Sequence, residues 1–367
     1  MSTMPDHLQF AQRVTAYMDC APVTQGAVPN LVTRIDSVGN GPWRMPVTVN
    51  DAGSNGSWVC SPYVTYVRYA AEEVARFGHP ALGPPLALMC RVTGLALRCG
   101  GIDRAVGLNN WTLSTNLFPA LEEAALRACM EECMDRWPQH AIWVRSLNGR
   151  HTPDWMAALE DQGCLMIPSR QVYLYDTIDP RGAGHTDLGR DLRLLERTTL
   201  APSPATAWSA HDFQQAERLY GLLYLEKYSR LNPAYSARWL QCWSRAGLLD
   251  LVGYRDADGQ LVAIVGMFGV DDLITAPIVG YDTSLPQRLG LYRLLMATVL
   301  REAARTGRRI NLSAGAAGFK RLRGGIGTME YSAVQVRHLR RRRRLPAQAL
   351  ALLARHVGQP LLQRYEL

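Results

Sequence analysis

No uninterrupted apolar run in this chain is long enough to cross a bilayer as a helix. Residues 1–19 are polar and interrupted, with no apolar core and no small-residue cleavage pattern, so no secretory signal is read there. Zinc spacing is missing as well: Cys129 and Cys133 share a helix face, but no matching Cys or His pair follows, and no metal is assigned. The eight cysteines are scattered, and without an export signal they give no reason to expect a disulfide framework. There is no Gly-x-Ser-x-Gly elbow, nor a Cys with an evident His partner, so no covalent nucleophile is read from the sequence. Acidic residues are in deficit, 32 against 40 Lys and Arg, leaving a net charge of +8 that suits acidic partners. These absences lead to the expectation of a soluble, cytoplasmic protein. What is present, 367 residues that are 47% hydrophobic and 20% charged, is enough for two ordinary domains, each with a core.

The most informative stretch is 248–331. Residues 248–254, 261–268 and 273–281 are apolar runs separated by Asp256-Ala257-Asp258-Gly259 and Gly269-Val270-Asp271-Asp272, which predicts an antiparallel meander with tight turns. After Pro286, the residues Leu289, Leu291, Leu294, Leu295, Val299 and Ala303 recur at helical spacing until Gly307, and 309–313 reads as a further strand. Unpaired amides at such a helix start, with the positive end of its dipole, bind phosphate oxygens, and a glycine permits close approach of the backbone.

This order, with Gln287-Arg288-Leu289-Gly290-Leu291-Tyr292 opening the helix, resembles the acyl-CoA-binding core of the GNAT acyltransferase fold. The loop Gly318-Phe319-Lys320-Arg321-Leu322-Arg323-Gly324-Gly325 resembles that of the two-domain branch containing Fem-type aminoacyl transferases and CelD-like acetyltransferases. Gln287 and Gly290 fit the family's cofactor pattern, whereas Tyr292 stands where it has Gly or Ala. The resemblance implies an N-acyltransferase acting on an amine of a small metabolite or peptidic intermediate. Its donor would be an acyl-CoA or acyl-carrier-protein thioester, gripped by Gln287, Arg288, Leu289, Gly290, Leu291 and Tyr292. It also implies charge stabilisation by Lys320 and a channel wall formed by Phe319. The alternatives are an aminoacyl-tRNA donor, or a non-catalytic protein of this fold that contacts RNA or anionic lipid.

Earlier in the chain, residues 1–30 read as a short polar leader. Strands are expected at 31–38 and 43–49, and helices from Pro62 to a stop at Gly78 and Pro80 and from Pro84 to Arg98. Then 102–113 reads as strand, 119–137 as helix, 141–146 as strand, 153–162 as helix and 164–175 as strand. That order repeats the one seen in 273–337. We therefore expect an α/β (α+β) fold of two tandem GNAT-like domains, each a mixed, mostly antiparallel sheet flanked by helices. The divisions are 1–177 shaping the acceptor site, 178–207 as a Pro- and Gly-rich connecting region including Pro180 and Gly182, and 208–367 carrying the donor groove.

The strand ends beside the cofactor helix carry Tyr281-Asp282 and Asn311 to Ser313. Tyr281 is the candidate proton donor to the leaving group, Asp282 the group that orients or deprotonates the amine, and Asn311 and Ser313 substrate contacts. Lys227, Tyr228 and Asn232, where a helix closes, are further substrate candidates, with Ser114, Thr115 and Asn116 as a turn in the first half. A helix is expected from Pro346, preceded by Arg337 and Arg340 to Arg344, a run suited to a carrier protein, tRNA or peripheral contact with anionic lipid.

Overall fold

The computed structural model describes residues 6–51, 56–77, 83–179 and 184–365. The expected stop at Gly78 and Pro80, like Pro180 and Gly182, lies outside them. The polar leader is in fact α1 (Asp6–Ala27), which buries Phe10, Val14, Tyr17 and Ala21 along one face. Its polar residues are that helix's solvent side, and they mask a stripe recurring every three to four positions. Next come β1 (Arg34–Val38) and β2 (Met45–Asn50), a π-helical turn Val64–Tyr69 running into α2 (Ala70–Phe77), and α3 (Gly83–Cys99).

β3 is shorter than expected, only Ala105–Leu108. Asn109 and Thr112 take left-handed φ of 51° and 59°, which no strand accommodates, so the apolar residues beyond them pack as a loop. α4 (Glu123–Arg136) crosses over to β4 (Ala141–Asn148), and α5 (Pro153–Asp161) leads to β5 (Leu165–Tyr175).

The stretch expected to connect two domains holds α6 (Thr186–Arg197) and β6 (Ala201–Pro204). Gly189 is buried within the helix, and Pro202 and Pro204 lie in β6, so neither residue type dissolves the element that holds it. α7 (Ala210–Gly221) begins with a reciprocal cap between Ser209 and Asp212, ends in a π-helical turn Leu222–Tyr228, and packs on α8 (Ala237–Arg245). The meander forms as its turns dictate: β7 (Asp250–Arg255), β8 (Leu261–Val270) and β9 (Leu273–Tyr281). α9 (Leu291–Thr306) is bracketed by left-handed Gly290 and Gly307. It is followed by β10 (Arg309–Asn311), by α10 (Ala317–Arg321) where the sequence suggested only a loop, and by β11 (Ile326–Gln335). The arginine run is not a spacer before the last helix but the first turn of α11 (Arg341–Leu353). A π-helical turn Ala354–Gly358 carries it into α12 (Gln359–Tyr365).

The eleven strands of the described residues form one sheet in the order β1-β2-β3-β4-β11-β5-β10-β9-β8-β7-β6. The two crossover units, β3-α4-β4 and β9-α9-β10, give its parallel pairs; the remaining pairings are antiparallel. After each crossover the chain changes sides: β5 leaves the first half to pair with β10, and β11 leaves the second to pair with β4. The two exchanged strands pair with each other over nine positions at the centre. An aromatic core of Tyr17, Trp111, Trp239, Trp243 and Phe268 also joins α1, the loop after β3, α8 and β8 across the halves.

Candidate active site between the two halves

Each parallel pair parts company toward the C-terminal ends of its strands. β9 and β10 pair only through Leu273–Thr275 and Arg309–Asn311, so Ala276 to Tyr281 run on without β10 beside them. β3 and β4 separate in the same way after Leu108 and Val144. A chain end can enter such an opening because no ladder hydrogen bonds close it.

The helices that start beside the two openings differ in charge. α4 is capped by its own Glu122 carboxylate, which accepts from the Ala125 amide, and Glu123 follows in the first turn; this end is already satisfied by acids. α9 starts at Gly290 with φ 63°, with no side-chain cap and no acid in its first turn. The left-handed φ favours glycine at 290, and an added Cβ would stand 3.1 Å from the Leu194 side chain of α6, pressing on it. Gln287 and Arg288 are exposed beside it, while Leu289 and Leu291 pack inward. Of the two openings, the one at α9 is therefore suited to an anion.

Tyr292, which departs from the family pattern, packs with its ring centroid 4.9 Å from Phe319 and 6.4 Å from Tyr281. These three rings form an aromatic cluster linking the end of β9, the first turn of α9 and α10. Farther along, Tyr228 is 5.9 Å from Tyr224 and 43% exposed, whereas Lys227 points to solvent. Asn232 is not available to a substrate. Its side chain accepts from Trp58 Nε1 (2.9 Å) and donates to the Tyr224 and Ser229 carbonyls, fastening one half to the other. Asn311 is likewise spent on the Ser313 amide, 2.8 Å away, which holds the reversal in which Ser313 takes φ 59°. Asp282 accepts from the Ser284 amide and hydroxyl and from Arg218. The Ser284 bond above all holds its carboxyl below the usual range, which makes it a weak base and a strong turn-former.

Lys320 lies 3% exposed, on α10. Its ammonium donates to the carbonyls of Leu312 (2.7 Å), Ser313 (3.2 Å) and Ala314 (2.8 Å), and sits 5.6 Å from the Tyr173 ring centroid. Burial, with nearby Arg170 adding to it, pulls the amine down to about 7. The three carbonyls oppose that loss, since only the charged form has three protons to give them. The chain contains just two lysines, Lys227 and Lys320, and otherwise uses arginine. A compact ammonium fits three converging carbonyls where a planar fork does not.

The residues that sequence reasoning missed are the buried charges around this loop. Asp191 of α6, 1% exposed, accepts from Arg293 of α9 (2.6 Å) and Arg323 (2.5 Å), and Arg323 stacks on Phe319 at 3.4 Å. One carboxylate thus pins the loop to the helix that bounds the opening. Nearer the centre, Arg170 and Glu330 face each other across β5 and β11 and form a two-bond ion pair of 2.7 and 3.2 Å, with Arg170 also donating to the Ser114 carbonyl. Arg145 donates to the Val59 and Ser114 carbonyls, and both guanidiniums lie about 5 Å from the Trp58 ring. Burial pulls Arg145 down to about 10, and Arg170 adds to the fall. A narrow cavity at the first half's opening is lined by Tyr66, Asn110, Trp143, Arg145 and Ser332. Periodicity gives no sign of this cluster, because its members lie far apart in sequence. The ladder mismatch beside Glu330 that re-aims the strand is likewise set by pairing.

Residues 187–321 match the family model described as an acetyltransferase (GNAT) domain. No curated protein matches the chain in sequence. Among solved structures, the C-terminal domain of a protein assigned as lysylphosphatidylglycerol synthetase from Agrobacterium fabrum is similar with a TM-score of 0.54 and 12% identity. That likeness covers 94% of this chain and 97% of the other. L-PGS from Bacillus licheniformis is similar at 0.49 and 14%, over 72% and 91%. FemX is similar at 0.45 and 8%, over 63% and 80%.

Proposed function

We propose that this chain, a GNAT-type acyltransferase by the domain in residues 187–321, moves an acyl group from a phosphopantetheine thioester to the amine of a small metabolite or peptidic intermediate. The observation that carries this reading is the uncapped, acid-free start of α9 at left-handed Gly290, flanked by Arg288 and opening between β9 and β10. First-turn amides and Arg288 would take the donor's phosphates, and the rings of Tyr281, Tyr292 and Phe319 would guide the acyl end inward. The amine nitrogen then attacks the thioester carbon directly. The C–N bond forms, the C–S bond breaks, Tyr281 protonates the departing sulfur, and the proton lost by the amine passes through solvent to restore the Tyr281 hydroxyl. Asp282 contributes by holding the turn that fixes Tyr281. Lys320 contributes by holding the carbonyls of residues 312–314, with Ser313 and Asn311 shaping that loop.

A second reading has an observation of its own. Tyr292 packs its ring against Phe319 where the family pattern has a small residue, which suits a donor other than pantetheine, such as aminoacyl-tRNA.

Thermal shift with CoA, acyl-CoA and bulk tRNA at two salt concentrations separates the two. Thioester donors at a hundred times their Kd should stabilise the chain by about 2.7 kcal/mol. Arg288→Glu should weaken that effect without lowering the ligand-free Tm. Stabilisation by tRNA alone, steeply reduced by salt, would instead support the second reading.

A further inference from the structure

We infer that α3 and α11 together form a docking face for an anionic lipid bilayer, on which the chain rests without spanning it. α3 exposes Leu88 (61%), Val92 (60%) and Leu95 (67%), a stripe on successive turns. α11 exposes Leu345 (59%) and Leu352 (61%), two turns apart. The two helices pack on each other where Pro346 meets Gly100, so the stripes belong to neighbouring elements. Large apolar side chains grouped in this way mark an interaction surface.

The charge around them names the partner. Arg91 and Arg98 lie on α3, and Arg337, Arg340 to Arg344, Arg355 and Arg364 on or beside α11 and α12; residues 83–101 and 336–365 contain neither Asp nor Glu. Arginines in the first turn of α11 sit against the positive end of its dipole, a placement that folding alone disfavours. An external anion removes the conflict. RNA would satisfy the arginines but leave the leucines in water, and a second copy of the chain would bring like charges together. A bilayer with anionic headgroups satisfies both, with leucines entering the acyl boundary and arginines meeting phosphates. No helix among the described residues is long and apolar enough to cross it.

The test is flotation of the full chain with vesicles of phosphatidylcholine alone and of phosphatidylcholine mixed with phosphatidylglycerol. Wild type should float with the mixed vesicles and stay behind with the zwitterionic ones. Arg341→Ser with Arg342→Ser should weaken partitioning about fivefold per arginine. Leu88→Ser with Leu95→Ser should weaken it on the order of tenfold per inserted leucine. All four side chains are partnerless in the core, so an unchanged Tm is expected; were the leucine pair to unfold, Val92→Ser replaces it. Equal flotation with both vesicle types overturns the assignment. So does failure to float with either, or binding that tRNA competes away and the leucine changes leave intact. No readout here depends on the acyl donor or on turnover.

Discussion

Lys320 shows how one buried side chain organises a backbone turn. Its three donors hold three consecutive carbonyls in the turn between β10 and α10, where Ser313 and Ala316 both adopt left-handed φ. Replacing Lys320 by Met removes the donor and leaves buried carbonyls unmatched, which costs about 1–3 kcal/mol. We expect that loss in denaturant unfolding, together with a fall in acyl transfer on the order of 100-fold as the loop relaxes away from the opening. Lys320→Arg should fail to restore either, because a planar guanidinium cannot address the three carbonyls at once. Retained activity with Met at 320 would remove the loop from the reaction. The motif around Lys320 was legible in sequence; its carbonyl partners were not, since a side chain's acceptors depend on where the backbone turns.

Among the elements, helix starts carry the most information. The α9 start was readable from Gly290 and the pattern before it, while the contrast with α4 emerged only when Glu122 was seen accepting from its own helix. At α7, Asp212 accepts from Arg255 of β7 (2.7 Å) and from Ser209, tying the helix to the sheet edge. The Arg255 hydrogen bond is the largest reason that the Asp212 carboxyl falls from 3.8 to about 2. A carboxyl held lower in the folded than in the unfolded chain contributes stability that is present above 3.8 and lost as the pH falls through about 2. Asp212→Asn should therefore lower stability at neutral pH by about 1 kcal/mol. It should also flatten the decline of stability across that acid window, as measured by urea unfolding at stepped pH. An unchanged acid slope would show that Arg255 is not the decisive partner. α6 was hidden from sequence reasoning because Gly184 and Gly189 and the flanking prolines look like linker, although Leu188 and Asp191 face the core.

Across the whole molecule, the decisive feature is that β5 and β11 each complete the other half's side of the sheet. Residues 1–177 alone would expose the edge of β4 that β11 covers, and residues 208–367 alone would lose the strand lying between β10 and β11. We expect neither piece to unfold cooperatively when expressed separately, and native-like circular dichroism to return only when both are present with α6 retained. A folded isolated half would contradict the interlocked arrangement. The same interlocking places Arg170, Glu330, Arg145 and Trp58 at the seam, where charges from both halves meet.

By itself the sequence determined the local order. Apolar spacing, Asp and Gly turns and a glycine-headed helix were enough to set out the meander, both crossover units and a helix start at Gly290, because each depends on residues a few positions apart. Tertiary structure alone decided which strands changed sides, that Asn232 fastens the halves, and that Asp191 and Glu330 gather arginines from distant segments. Those outcomes depend on strand register and on which buried charges find partners, and both are fixed by contacts between residues a hundred or more positions apart.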